Sequence, residues 1–240
     1  MKTIILAGGK GTRLKPYTTI LPKPLMPIGD SMAIIEIILC QLSYYGLTDI
    51  SLAVGHLSEL IMSFCSDGKR FGTNINYSFE DKPLGTAGPI SLVDGLIEPF
   101  LVMNGDILTS LNFKDLISFH KSGGNIATIV TFNRDETIEF GVIEKDSNNK
   151  VIKYIEKPIN NYNVSTGIYI FEPEVMKFIT KGTYLNLPDL IKLLIDNKQD
   201  IGCYDLQGRW LDIGRKDDYE EAGKVFELFR QEFLPNKNKK

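Results

Sequence analysis

Residues 3–24 read TIILAGGKGTRLKPYTTILPKP. Thr3 to Ala7 is a short apolar run, the pattern of a buried strand. Gly8, Gly9 and Gly11 interrupt it and leave backbone amides bare. Arg13, Lys15 and Lys23 follow on the same loop. Glycines let N–H groups approach phosphate oxygens closely and form a concave nest of donors. The basic side chains add charge that a neutral ligand would not need. The stretch predicts a strand feeding an anion-binding loop. It is neither of the two familiar phosphate loops. No G-x-x-x-x-G-K-[ST] string occurs, and after Gly9 and Gly11 the third glycine of a dinucleotide fingerprint is replaced by Leu14. An ordinary strand–turn connection with solvated basic residues would carry the same glycines.

Outward from this loop, strands and helices alternate. Residues Ile34 to Tyr45 are apolar all round at helical length, which predicts a helix buried against a sheet, with Gly46 as its C-cap. Ile50–Val54, Ile75–Phe79 and Phe100–Met103 read as further strands. Leu57–Cys65 reads as a helix, and Ala87–Leu96 as the start of another. Such alternation implies an α/β fold with a mostly parallel central sheet and helices on both faces, with ligands beyond the carboxyl ends of the strands. Three of those ends deliver the Gly-rich loop, then Glu80 with the turn PLGTAGP, then Asn104-Gly105-Asp106. After Asp106 the pattern turns α+β. Helices are expected over Phe113–Lys121, Leu187–Asp196 and Asp217–Phe233, and strands over Ile126–Phe132, Val164–Phe171 and Ile201–Asp205. Gly141–Glu144 and Val151–Glu156 form a hairpin around Asp146–Asn149. With no clean linker, we expect one domain over 1–240: a half carrying the Gly-rich loop, 1–110, and a half ending in a C-terminal helix, 111–240.

Composition narrows the function classes. A hydrophobic share of 43% suits a full core, and a net charge of −3 leaves no basic footprint for nucleic acid. The basic tail Lys237, Lys239 and Lys240 is too short to supply one. Cys40, Cys65 and Cys203 are widely spaced and odd in number, which fits a reducing cytosol rather than a disulfide framework or a metal cluster. No apolar run reaches membrane-spanning length, and Ile4–Ala7 is too short for a signal peptide. The expected location is the cytoplasm, with no membrane partner. Oligomeric state stays open; a homodimer is the commonest arrangement among soluble oligomers.

The string L-A-G-G-x-G-T-R-L followed by Leu21-Pro22-Lys23-Pro24 resembles the signature of sugar-1-phosphate nucleotidyltransferases, and the resemblance extends from Met1 to about Ala222. It implies a Rossmann-like, GT-A-like fold. It also implies an enzyme in which a sugar-1-phosphate oxygen attacks the α-phosphorus of a nucleoside triphosphate and pyrophosphate leaves. The nucleophile is already an anion, so positioning and charge neutralisation are what catalysis needs. Mg²⁺ is the implied cofactor, held by Asp106 and by Asp212, which lies in a W-x-D-x-G element. Arg13 and Lys23 are the implied phosphate clamps, so that Arg13, Lys23, Asp106 and Asp212 form the candidate catalytic set. Taken alone, Asp106 in Asn-Gly-Asp is also good turn chemistry, and Asp212 could cap the last helix. The nucleotide is assigned to Leu6, Ala7, Gly8, Gly9, Gly11, Thr12, Arg13, Glu80, Pro83, Gly85 and Thr86. The sugar phosphate is assigned to Lys23, Gly105, Gly141, Glu156, Lys157, Ser165 and Thr166. Glu156-Lys157-Pro158 matches an E-K-P element of the family; without that context it reads as a surface pair at a strand end. Ser165-Thr166-Gly167 departs from the Asn-Ala-Gly of many members, which leaves the sugar open. His56 and His120 are isolated and read as structural or exposed. Since the chain ends one helix later, no appended left-handed β-helix is expected.

Glu80 bears on the base. An amide side chain fits the O4 and N3–H edge of uracil or thymine, whereas a carboxylate offers only acceptors and suits the adjacent N1–H and N2–H₂ donors of guanine. Glu80 with P-L-G-T-A-G also resembles mannose-1-phosphate guanylyltransferases and their heptose and hexosamine counterparts. GTP is therefore the favoured nucleotide and a mannose- or heptose-like sugar-1-phosphate the favoured acceptor. The alternatives are dTTP, UTP or CTP with glucose- or glucosamine-1-phosphate, and a catalytically silent regulatory homologue.

Overall fold

The computed structural model describes residues 1–29, 32–214 and 216–235; the basic tail Lys237, Lys239 and Lys240 lies outside them. The chain opens with β1 (Thr3–Ala7), a short hairpin of β2 (Pro27–Ile28) and β3 (Met32–Ala33), and helix α1 (Ile34–Tyr44). Then come β4 (Asp49–Val54), α2 (Ser58–Cys65), β5 (Asn74–Phe79), β6 (Phe100–Asn104) and β7 (Ile107–Thr109). The second half contains α3 (Phe113–Gly123), β8 (Ala127–Thr137), β9 (Val142–Lys145), β10 (Val151–Ile155) and β11 (Ile159–Phe171). It closes with α4 (Leu187–Asp196), β12 (Ile201–Asp205), β13 (Trp210–Asp212), α5 (Lys216–Leu228) and α6 (Arg230–Phe233).

Seven strands form one sheet in the order β12-β8-β11-β6-β1-β4-β5. β1, β4, β5 and β6 are mutually parallel, β12 runs parallel to β8, and β11 is antiparallel to both of its neighbours. Alternate residues of the central strands feed two cores. Ile5, Leu101 and Met103 join α1, α2, α3 and α5 on one face. Ile4, Phe100 and Val102 join α4 on the other. Eight of the eleven residues of α1 are buried, as its all-round apolar sequence demands. Each fully buried aliphatic side chain there contributes about 1.5–3 kcal/mol.

Three expectations need correcting. Ala87–Leu96 holds only a 3₁₀ turn at Gly88–Leu92, with Pro89 at its start. Any side chain at Gly88 would meet the Thr183 carbonyl at 2.5 Å, so the segment is packed against residues 183–185 rather than free to coil into an α-helix. The last helix is two, α5 and α6, with Phe229 between them outside helical geometry (φ −122°, ψ 27°). Strands β8 and β11 run longer than their apolar cores suggest. Their polar ends, Asn133–Thr137 and Ile159–Asn163, pair as an arm.

Candidate active site

The parallel strands β1, β4, β5 and β6 all end at one edge of the sheet, and antiparallel β11 brings Ser165–Gly167 to the same edge. β1 hands over to the Gly-rich loop. Gly11 takes a left-handed conformation (φ 59°) that starts the 3₁₀ turn Thr12–Leu14, and the Thr18 hydroxyl donates to the Gly11 carbonyl at 2.7 Å, closing the loop. Among the described residues the N–H groups of Gly9, Lys10 and Gly11 have no backbone acceptor, and the three residues line cavities at this edge.

β6 hands over to Gly105-Asp106. Gly105 N–H donates to the Leu6 carbonyl at 2.9 Å. A side chain there would press on that same carbonyl, so only glycine lets the turn lie so close to β1. The Lys23 ammonium is ion-paired with Asp106 and is only 7% exposed as a residue. Asp212 arrives through a contact that no local pattern shows. Strands β7 and β13 pair antiparallel with Asp212 opposite Ile107, and Ile213 N–H donates to the Asp106 carbonyl at 3.3 Å. Burial raises the Asp212 carboxyl above its ordinary range. The Asp106 charge raises it further, while Lys23 and Arg13 pull it down and Asp218 pushes it up. A side chain at Gly214 would lie 3.3–3.5 Å from Asp212 Oδ2, Arg13 Nη1 and Asp218 Oδ2 alike, so these groups converge on one point.

Three cavities line this edge. The first, about 240 Å³, is bounded by Leu6, Ala7, Gly9, Gly11, Thr12, Arg13, Lys23, Gly105 and Asp106. The second, about 730 Å³, shares Leu6, Gly9, Arg13 and Asp106 with the first and adds Gly8, Glu80, Pro83, Gly85 and Thr86. The third, about 310 Å³, shares Thr86 with the second and adds Ser165, Thr166 and Asp212. Its walls are Trp210, Tyr169, Ile107 and Leu187, an apolar surface with a few polar groups, the usual make-up of a small-molecule site. Glu80 is half-buried in the second cavity. Its Oε2 accepts Leu84 N–H at 2.8 Å, and its Oε1 lies over Gly8, where a side chain would collide with it. Burial raises this carboxyl and the Leu84 N–H partly offsets the rise.

Most of the expected site residues thus meet in one row of cavities, but not all. Gly141, Glu156 and Lys157 line none of the three. They lie beside the β9–β10 hairpin, where Lys157 pairs with Glu139 at 3.4 Å and Glu156 accepts the Tyr154 hydroxyl at 2.8 Å. Thr166 reaches the third cavity, yet its hydroxyl donates to the Val130 carbonyl at 2.8 Å and is committed to the fold. Ser165 shares a 2.9 Å hydrogen bond with the Tyr169 hydroxyl. His56, read as structural or exposed, lines the second cavity with Lys10, and its N–H donates to the Gly8 carbonyl at 3.3 Å. His120 is structural: buried, 2.8 Å from the Thr128 hydroxyl. Tyr184, Tyr169 and Asp218 join the edge without a sequence signal of their own, since each is a lone polar or aromatic residue until the fold assembles it.

Asp106 and Asp212 offer hard oxygen donors that already repel each other, which fits a divalent cation. Among the described residues no cluster of three or more His, Cys, Asp or Glu side chains could hold a metal. Two carboxylates plus substrate phosphates is the coordination Mg²⁺ commonly takes.

The family model described as nucleotidyl transferase matches residues 2–227. The chain belongs to the nucleotidyl transferase family. A mannose-1-phosphate guanyltransferase of Candida albicans is 36% identical over 228 residues, covering 91% of this chain and 62% of that protein. A UTP–glucose-1-phosphate uridylyltransferase of Synechocystis sp. is also 36% identical, over 242 residues, covering 92% of this chain and 62% of that one. The chain therefore spans a little over three-fifths of the length of these relatives. A crystal structure of a Bacillus anthracis protein in complex with a sucrose superimposes with a TM-score of 0.77 at 25% identity, covering all of this chain and 98% of that one. HddC from Yersinia pseudotuberculosis, complexed with GMP-PN, shares the fold with a TM-score of 0.72 at 22% identity, over 94% of this chain and 99% of that one. No described helix is long and apolar enough to cross a membrane.

Proposed function

We propose that this protein transfers a nucleoside monophosphate from a nucleoside triphosphate, GTP favoured, to a mannose- or heptose-like sugar-1-phosphate. The observation that carries this reading is the meeting of Arg13, Lys23, Asp106 and Asp212: Lys23 pairs with Asp106, and Asp212 and Arg13 converge beside Gly214, along a row of cavities. The largest cavity, with Glu80 in its wall, suits the nucleoside, and the bare amides of Gly9–Gly11 with Arg13 suit the triphosphate. The third cavity suits the sugar.

In the reaction a phosphate oxygen of the sugar-1-phosphate forms a bond to the α-phosphorus. The bond from that phosphorus to the bridging oxygen breaks, and pyrophosphate leaves with the electron pair. No proton need be removed from the nucleophile. Lys23 and Arg13 hold the two polyanions together against their repulsion, and the buried placement of Lys23 makes its charge more effective than in water. Asp106 and Asp212 would hold Mg²⁺, which when bound neutralises charge on the reacting phosphates. Asp106 also keeps the Lys23 ammonium in place.

Pyrophosphate release with GTP, dTTP, UTP, CTP and ATP, against a pool of hexose- and heptose-1-phosphates with Mg²⁺ or EDTA, tests the reading. GTP-dominated, EDTA-sensitive release is expected. A second reading, UTP with glucose-1-phosphate, is favoured by the equal similarity to the uridylyltransferase. Release confined to UTP would establish it. No release from any nucleotide would overturn both.

A further inference from the structure

The two carboxyl oxygens of Glu80 are not equivalent. Oε2 accepts the Leu84 N–H at 2.8 Å, while Oε1 lies over the bare backbone of Gly8, in the wall of the 730 Å³ cavity. A backbone N–H can only donate, so Oε2 must accept in every protonation state. When the carboxyl gains a proton, that proton favours Oε1, because an unprotonated carbonyl oxygen accepts the Leu84 N–H more strongly than a hydroxyl oxygen would. The ionised group shows two acceptors side by side, the complement of guanine N1–H and N2–H₂. The protonated group shows a donor at Oε1 and, through the second lone pair, an acceptor at Oε2. That is the complement of the O4 and N3–H edge of uracil or thymine. We propose that Glu80 selects the base through its protonation state, GTP when ionised and UTP or dTTP when protonated.

The proposal rests on Glu80 being the group that reads the base. Gly8 is essential to it, because any side chain there would displace Oε1. The groups that share the cavity are Lys10 and Arg13 from the Gly-rich loop, His56 from the β4 end, Asp81 and Lys82 beside Glu80, Asp106 from the β6 end, and Tyr184 ahead of α4. None of them governs the carboxyl: burial raises it and Leu84 N–H opposes the rise. Burial thus moves its titration upward from the ordinary carboxylate range.

The test is equilibrium binding of GTP and of UTP, each with Mg²⁺, from pH 8 to 5.5, to the wild-type protein and to Glu80→Gln. The γ-phosphate titrates alike in both nucleotides, so the ratio of their dissociation constants cancels it. In the wild type the preference for GTP should fall with pH, by up to about tenfold per unit, the limit for a single proton. In Glu80→Gln the amide must turn its oxygen to Leu84, mimicking the protonated form, and UTP should be preferred at every pH. A wild-type ratio that stays constant across the range overturns the proposal, and does so whether or not the variant folds. If Glu80→Gln nevertheless shifts preference to UTP, the base reading survives that loss. If the variant folds and keeps the wild-type preference, or if wild type binds neither nucleotide, the base reading falls together with the proposal.

Discussion

At Asp212 stability and chemistry pull against each other. Its carboxyl is raised chiefly by burial and then by the Asp106 charge. Its folded value therefore exceeds its unfolded one, and at neutral pH the ionised group costs stability. The cost disappears as pH falls through the raised value. Asp212→Asn should accordingly melt higher than wild type at pH 7.5, with the gap closing toward pH 4. Its turnover should fall by about 10²–10³-fold, the usual loss when a group stabilising transition-state charge is removed. Calorimetry at the two pH values with pyrophosphate release checks both; an unchanged melting temperature at pH 7.5 would show that the carboxylate is not strained. Lys23 behaves in the opposite sense. It is buried against a carboxylate that keeps some solvent contact, so Lys23→Met should cost about 1–3 kcal/mol, below the range for a fully buried pair. It should also reduce kcat/KM by at least about 10²-fold. Urea midpoints and steady-state kinetics measure the two losses. That Arg13 and Lys23 would share one cavity was legible in sequence because Arg13 follows three glycines directly and Lys23 lies in the L-P-K-P element of the same segment. Asp218 and His56 were not, because a single charged or polar residue states none until its neighbours are known.

The elements that hold these residues divide in the same way. The strands β1, β4, β5 and β6 and the helices α1 and α4 could be read because each is long enough to show a period and an apolar face. Strands β7 and β13 are three residues each and pair across about a hundred residues of chain. No window of sequence contains both, yet they set Asp212 beside Asp106. The helix expected after Ala87 failed for a related reason: Gly85 and Gly88 press against the backbone of residues 183–185, a contact outside local sequence. Gly85 has φ 78°, and a methyl group there would stand 2.5 Å from the Leu185 carbonyl. Gly85→Ala should therefore displace the Pro83–Gly88 turn that borders the nucleoside cavity, with a backbone cost of about 1–3 kcal/mol. KM for the nucleotide should rise by at least about tenfold, the equivalent of 1.4 kcal/mol of binding, with kcat much less affected. Initial rates over a nucleotide series distinguish this from a catalytic loss, which would appear in kcat.

Across the whole molecule, one edge of the sheet carries the proposed site, and the opposite edge holds a buried histidine. β11 runs antiparallel to β6, so Phe171 pairs with Phe100 at the edge away from Asp106. Glu172 follows it there, facing the ring of His120 on α3. His120 Nε2 stands 3.3 Å from Glu172 Oε1, and Nδ1 is 2.8 Å from the Thr128 hydroxyl. Burial lowers the imidazole below its ordinary range and outweighs the opposing pull of Glu172. The folded protein thus holds His120 neutral at a pH where the unfolded chain protonates it. By linkage the stability this provides is complete above the unfolded value, about 6.5, and is lost as pH falls toward the folded value. His120→Gln can keep a bond to Thr128 without a titrating proton. Between pH 7.5 and 5 the wild-type melting temperature should therefore drop more steeply than that of the variant. Carboxylates shared by both proteins, Asp212 among them, cancel in the comparison. At pH 7.5 pyrophosphate release should be the same within about twofold, since no group that touches substrate has moved and a twofold change is under 0.5 kcal/mol. Parallel melting curves would mean that His120 binds its proton equally in the folded and unfolded states, with Glu172 cancelling the effect of burial, and a shallower wild-type curve would mean that Glu172 wins.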